Sequence, residues 1–407
     1  MSARQDLEGA GRAGGHWLSG ARLRAYPQIL LAVFAVAILA YVAASEGLED
    51  PLGKPLGTYF SPFHAAAGLA LRGEAAEVYR PEALLAAQQA AIPGTDDVFA
   101  FPQPPVFLLL ILPLGLLPYV PGLIAWFALG YGSYAVLLLR RLQGAAGAGT
   151  WAVLAFPGAI LCALNSQTGL LAVALLAAAV GLLPRRPLVS GLLFGLCGFR
   201  PELALAIGLA LAAGGHWRTL AAATVSLAGL VAASIAAFGV GTWLAFRDSL
   251  PWLGEVLAEG QLPWFKLVSV YGAGRLVGLG LEAAVLLQVA GTLLALSALV
   301  WAWRRAAGLE LKAGVLGCAA LLISPLTLYY DLVLLALPLL WFALEGVRRG
   351  WRPWERELLA AAWALPLIAV PLGQATALQV APLVILLVLL CLLRRLGGQA
   401  TAALATD

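Results

Sequence analysis

The sequence predicts an all-α fold, a polytopic bundle of membrane-spanning helices with one long loop that carries short amphipathic helices. Three observations predict it: the composition, the length of the apolar runs, and the arginine pairs that punctuate them. Hydrophobic residues make up 62% of the 407 positions and charged residues 11%, with a mean hydropathy of +0.90. That leaves too few polar groups to clothe a soluble globule of this size. The apolar runs are about 15–25 residues long, and at about 1.5 Å per residue such helices span a hydrocarbon core of roughly 30 Å. Helices are required because lipid cannot satisfy an open strand edge, and the short alternating segments of a β-barrel are missing.

Residues 1–26 hold Arg4, Arg12, Arg22 and Arg24 with no long apolar run, which predicts a cytoplasmic tail and not a cleaved signal peptide. The first span is expected at 27–45, opening a membrane domain that runs to 395. A polar loop, 46–105, follows, with Glu46, Glu49, Asp50, Glu74, Glu77, Glu82, Asp96 and Asp97 between two apolar blocks. Further spans are expected at 105–117, 119–139, 151–163, 168–183, 187–213, 219–245, 281–303, 311–345, 357–373 and 376–393. Block 187–213 is interrupted at Arg200-Pro201-Glu202, and block 311–345 at Ser324-Pro325 and Asp331. A second external loop is expected at 246–280, and a cytoplasmic tail at 396–407.

Arginine pairs stand at 140–141, 185–186, 304–305, 348–349 and 394–395. Taken as cytoplasmic, they require an even number of crossings between successive pairs. The interval 142–184 satisfies this with residues 165–168 at the outer turn, and 306–347 does so with 325–331 there. If 187–213 is a hairpin of two half-length helices, Arg200 reaches the outer side and 246–280 is external too. Either block 105–117, which is short and carries Pro113, does not cross, or Arg140-Arg141 breaks the rule; the count alone does not choose. The four cysteines, Cys162, Cys197, Cys318 and Cys391, lie in apolar segments without CxxC spacing and are expected to be small core hydrophobes. The net charge of +4 is the basic excess of cytoplasmic loops, so no nucleic-acid partner is expected. Charges inside a bilayer are costly, so Arg200, Glu202 and Asp331 require partners or a wet cavity. The plainest arrangement pairs Arg200 with Glu202 and has Asp331 cap a helix beginning at Leu332.

Along the chain stand GTYFSPFHAAAGLALRG, PEALLAAQQAA, FAFPQPPVFLLLILPLGLLP, LNSQTGLL, GLLFGLCGFRPELAL, GGHWR, LPWFKLVSVYGAGRL and SPLTLYYDLVLLALPL, in that order. The order resembles glycosyltransferase family 87, the polyprenyl-phosphate-mannose-dependent mannosyltransferases of the GT-C superfamily, over about residues 27–345. The resemblance implies an enzyme of the bacterial plasma membrane with its active face outside. It would take a sugar, typically mannose, from a polyprenyl-phosphate carrier and pass it with inversion to a lipid or glycan acceptor. The partners implied are that donor, that acceptor and the membrane lipids; no cofactor is implied. No HxxH, HExxH or DxD pattern points to a metal.

The implied base is a carboxylate of the first external loop, able to take the acceptor's hydroxyl proton. Laid on the family pattern, Tyr59 stands where that Asp belongs, and a phenol of ordinary pKa about 10 is a poor base at neutral pH. Asp50, Glu49, Glu74, Glu77, Asp96, Asp97 and His64 remain as candidates, His64 because its ordinary pKa of about 6.5 suits the task. Asn165 and Gln167 match a polar element expected to bind sugar hydroxyls. Arg200, where the family usually has Lys before Pro, is expected to hold the carrier phosphate bidentately, and Lys266 to reach it as a point charge. Gln103 occupies a place where an aromatic is common, and Asp331 after Tyr329-Tyr330 is expected to orient a cation. The competing class is a noncatalytic or transport protein of the same architecture, a flippase or a lapsed member. It is disfavoured because no inverted repeat is evident and because a loop this long is usually functional.

Overall fold

A computed structural model describes residues 19–51, 53–95, 97–142 and 147–404. Arg4, Arg12 and Asp96 lie outside the described residues. Helix α1 (Gly20–Ala43) starts earlier than expected, because the Ser19 hydroxyl caps it by accepting the Arg22 N–H at 3.4 Å and Pro27 is absorbed inside it. The loop then builds α2 (Phe60–Leu71), a 3-10 turn (Ala75–Tyr79) and α3 (Pro81–Ala91), the last opened by a proline whose missing N–H costs nothing there.

Next come α4 (Val106–Ile111), a 3-10 turn (Leu112–Leu116) and α5 (Tyr119–Leu139). Block 106–116 is too short to be a candidate span. The Phe107 ring packs on Phe63 at 5.1 Å, and Gly115 lies so near the Ala67 backbone that a Cβ there would sit 2.8 Å from its carbonyl carbon. Both ends therefore touch α2, a helix only about 18 Å long. Between the loop and Arg140-Arg141, α5 is the one helix among the described residues long and apolar enough to cross a membrane.

Helices α6 (Ala148–Leu154) and α7 (Pro157–Leu164) are broken apart by Pro157, and α8 (Gly169–Leu182) returns. Then α9 (Pro187–Leu196) ends in a 3-10 turn (Cys197–Phe199), Arg200 follows, and α10 (Pro201–Ala213) leads to α11 (Trp217–Phe238). Gly191 abuts Thr219 and Ala222, Gly195 abuts Ala223 and Ser226, and Gly198 abuts Leu227, so α9 and α11 run parallel. The intervening α10 must then run in the opposite direction, and Arg200 sits at the tip of a hairpin of two short helices.

The segment expected as a second loop is mostly helical. Gly239, at φ 79°, turns the chain, and α12 (Val240–Glu259) continues with Phe246 packed on Tyr79 at 5.4 Å. A 3-10 turn (Trp264–Lys266) and α13 (Val270–Leu276) complete it. The remainder is α14 (Leu281–Trp303), α15 (Leu309–Ile323), a 3-10 turn (Tyr329–Leu335) running into α16 (Ala336–Arg349), α17 (Glu355–Thr376) and α18 (Ala381–Leu404). Helix α18 does not stop at Arg394-Arg395 as expected. Arg395 turns inward onto the Glu355 carboxylate and the Gly350 carbonyl, so its charge is satisfied and the helix continues. Seven helices among the described residues are long and apolar enough to cross a membrane, and isolated bridges are the only β-pairing there.

The bundle has two unlike ends. At the arginine end, Arg141 donates to the Ala177 carbonyl at 2.7 Å, Arg348 pairs with Glu310 at 2.9 Å, and Gln399 links Gly308 to Glu345. At the other, here the loop end, the first loop meets the Asn165 turn, the Arg200 tip and residues 324–331. Closeness of α9 to α11 depends on the missing side chains. Gly191→Val drives a branched side chain into the Thr219 carbonyl and Ala222, and is expected to cost about 1–3 kcal/mol in detergent thermal unfolding. Gly229→Ala, into open space on α11, is expected to cost nothing.

Candidate active site at the loop end

The Asn165–Thr168 turn is tight enough to force Ser166 to φ 52°, and Trp126 holds it by donating its indole N–H to the Ser166 carbonyl at 2.8 Å. Asn165 thereby faces the chain's other polar break, and its Oδ1 accepts from the Tyr329 hydroxyl at 2.8 Å. Gln167 closes the turn through its backbone N–H, which donates to the Cys162 carbonyl at 3.0 Å. Its side chain makes no hydrogen bond among the described residues.

At the hairpin tip the Arg200 guanidinium is shared. Its Nε donates to Glu202 Oε1 and its Nη2 to Asp331 Oδ1, each at 2.9 Å. Both arrangements expected on plain grounds are therefore present in altered form. Arg200 does pair with Glu202, while Asp331 caps the turn at Tyr329–Leu335, three residues ahead of Leu332, through Oδ2 accepting the Leu328 N–H at 2.9 Å. Asp331 is only 6% exposed, so the pair is kept from water and depends on these bonds.

Tyr59 reaches this cluster from the first loop. Its ring meets Tyr330 edge-on at 5.6 Å and Phe99 at 6.1 Å, and Tyr330 in turn packs on Tyr329 at 5.1 Å. Burial pushes the Tyr59 phenol above its ordinary range, and a hydrogen bond from Tyr330 only partly opposes it. Tyr59 therefore keeps its proton at neutral pH.

Lys266 joins through the backbone. Leu267 pairs with Leu328, the residue that Asp331 caps, and the Val268 N–H donates to the Thr327 carbonyl at 2.8 Å. Burial and the neighbouring charge of Lys54 lower the Lys266 pKa. Neither lysine makes an ion pair among the described residues. Lys54 gave no signal in the sequence, being far from Lys266 along the chain.

Three further candidates, Asp50, His64 and Gln103, serve the loop's own architecture. Asp50 is buried and accepts from the Tyr41 hydroxyl at 2.7 Å and the Lys54 N–H at 2.8 Å, tying the loop to α1. His64 bonds the Leu117 carbonyl through Nε2 at 2.9 Å and packs between Phe60 and Tyr119. Gln103 gives its carbonyl to the Tyr79 hydroxyl at 2.9 Å, while its own Oε1 is buried without a partner.

These features define a polytopic all-α membrane protein whose polar residues, scattered along the chain, meet at one end. The chain belongs to glycosyltransferase family 87, which matches residues 101–325, more than half of its length. It is a membrane glycosyltransferase by family. The matched stretch contains Gln103, Asn165, Gln167, Arg200 and Lys266 and leaves out Asp50, Tyr59, His64, Tyr330 and Asp331. No curated protein and no solved structure matches the chain.

Removing Arg200 strands two carboxylates in a poorly hydrated tip. Arg200→Met is expected to cost about 3–5 kcal/mol in thermal or denaturant unfolding, the range seen when one partner of a buried ion pair is lost.

Proposed function

We propose that the chain transfers a sugar, mannose in the first instance, from a polyprenyl-phosphate carrier to a lipid or glycan acceptor, with inversion at the anomeric carbon. The observation that carries this reading is the meeting of Tyr59, Asn165, Arg200, Lys266 and Tyr330-Asp331 at the loop end. The arginine pairs at the opposite end favour an external or periplasmic face for the site, in the plasma membrane of a bacterium.

The carrier phosphate falls to Lys266 with Lys54. Arg200 has two of its donor nitrogens already given to carboxylates, so it is poorly placed to grip a phosphate bidentately. Lys266, whose charge burial and Lys54 disfavour, gains from a bound anion, neither lysine having an ion pair among the described residues, and a leaving phosphate needs such stabilisation more than it needs a proton. Asn165 and Gln167 at the neighbouring turn are suited to the sugar hydroxyls. The protonated Tyr59 at the expected carboxylate position favours one competing reading, a lapsed member that binds the carrier without turnover.

The test is transfer of radiolabelled mannose from polyprenyl-phosphate-mannose to membrane lipids and glycans by purified protein. Wild type is expected to transfer, with the donor KM rising on the alkaline side at a pH below the ordinary lysine pKa of about 10.4. Lys54→Ala is expected to move that limb to higher pH, because it removes the charge that disfavours ionised Lys266, and Lys266→Ala to abolish it. Wild-type silence with intact binding of polyprenyl phosphate selects the lapsed reading.

A further inference from the structure

The position where a first-loop carboxylate is expected holds a tyrosine that keeps its proton, so the base has to come from elsewhere. The first-loop carboxylates that the structure describes are hydrogen-bonded, ion-paired, packed against the loop or, like Glu46, exposed. Asp50 is held by Tyr41 and the Lys54 N–H, Glu74 pairs with Arg72 at 3.1 Å and Glu77 with Arg80 at 3.0 Å. Glu49 lies against Gly94, and Glu82 and Asp97 are exposed.

Two carboxylates of the helical core lie behind the tyrosine pair, Asp331 next to Tyr330 in the chain and Glu202 joined to Asp331 through Arg200. Tyr59 touches Tyr330, Tyr330 precedes Asp331, and Asp331 shares Arg200 with Glu202. The two differ in what remains free. Asp331 spends Oδ1 on Arg200 and Oδ2 on the Leu328 N–H, and its side chain is 9% exposed. Glu202 spends only Oε1, on Arg200; its Oε2 makes no hydrogen bond among the described residues, and its side chain is 26% exposed.

We propose that Glu202 is the general base of the transfer, an inference that rests on the glycosyltransferase reading above. Two carboxylates around one guanidinium leave the hairpin tip with one surplus negative charge. Such a surplus repels the carrier phosphate toward Lys266 and Lys54. It also favours both the arrival of a proton and the positive charge that develops at the anomeric carbon. In the step, the acceptor oxygen bonds to the anomeric carbon as its proton passes to Glu202 Oε2. The bond from that carbon to the phosphate oxygen breaks, and its electron pair leaves with polyprenyl phosphate. Water then takes the proton from Glu202. Arg200 is a positioning residue here, fixing Oε1 and leaving Oε2 without a hydrogen bond among the described residues, while Asp331, Tyr330 and Tyr59 are the other ionisable groups in the cluster.

Glu202→Gln keeps an oxygen for the Arg200 Nε and so preserves the fold. It is expected to lower kcat by about 10²–10⁴-fold with the donor KM little changed, and to remove the acid limb of the kcat/KM pH profile. Glu202→Asp is expected to keep a fraction of the rate with that limb displaced. The proposal is overturned if Glu202→Gln transfers at the wild-type rate with its acid limb intact, or if its loss is matched by lost thermal stability and lost binding of polyprenyl phosphate. Wild-type silence toward polyprenyl-phosphate-mannose is a different result: the donor reading fails there, and the role of Glu202 falls with it.

Discussion

One guanidinium joins the two polar breaks of the helical core. Arg200 and Asp331 are 131 residues apart, and each sits where a proline has ended a short helix or a turn has replaced one. Neither charge is tolerable alone at such a depth, and neither gains much from water, so each helix end is held against the other by the cost of separation. Asp331 passes the constraint on through its second oxygen, which fixes the Leu328 backbone and with it the pairing to Leu267 beside Lys266. A single ion cluster thus orders three segments that would otherwise be loops.

The first loop is locked onto that frame by contacts of another kind. Tyr41 grips Asp50 from α1, the Tyr119 hydroxyl donates to the Leu56 carbonyl at 2.7 Å, and His64 bonds the Leu117 carbonyl. Phe63 lies among Phe101, Phe107 and Trp126, with ring centroids 5.1–6.0 Å away. Edge-to-face packing of this sort adds about 0.5–1.5 kcal/mol per pair beyond the area buried, and it fixes orientation as well as position. The short block 106–116 is the wedge: too brief to cross, it fills the space between α2 and the hairpin, where Phe107 meets Phe199 at 5.6 Å. Tyr59 is delivered to Tyr330 as a consequence.

The resulting site is polar in a directional sense. The two lysines without an ion pair among the described residues, Lys54 and Lys266, lie on one side, and the surplus carboxylate lies at the hairpin tip. Group transfer from a phosphate carrier separates charge in that way, with negative charge growing on the leaving oxygen while a proton departs from the acceptor. Fixed groups already aimed at those charges need no reorganisation during the reaction, which is where electrostatic catalysis gains most. On the proposal that Glu202 is the base, the replacement of an expected acid by Tyr59 moves the base within one cluster, from a loop residue to a helix end.

Much of this was legible in the sequence, because the bilayer restricts the choices. Apolar runs of spanning length, prolines at 201 and 325, and arginine pairs between blocks determined the helical class, the breaks and the polar stretches. The order of motifs determined the family. Boundaries moved where local chemistry outweighed hydropathy: Ser19 capped a helix ahead of its apolar run, and Arg395 let another pass through an arginine pair. What only the tertiary structure decided was who meets whom. Asp50 and His64 have the right chemistry for a base, yet Tyr41 and the Leu117 carbonyl engage them, and Glu202 differs from Asp331 in being more exposed and in having an oxygen to spare. Periodicity and composition act over a few turns of chain, whereas the pairing of Arg200 with Asp331 and the approach of Lys54 to Lys266 follow from how helices pack. That packing is set by small residues and aromatic contacts, whose partners no single stretch of sequence names.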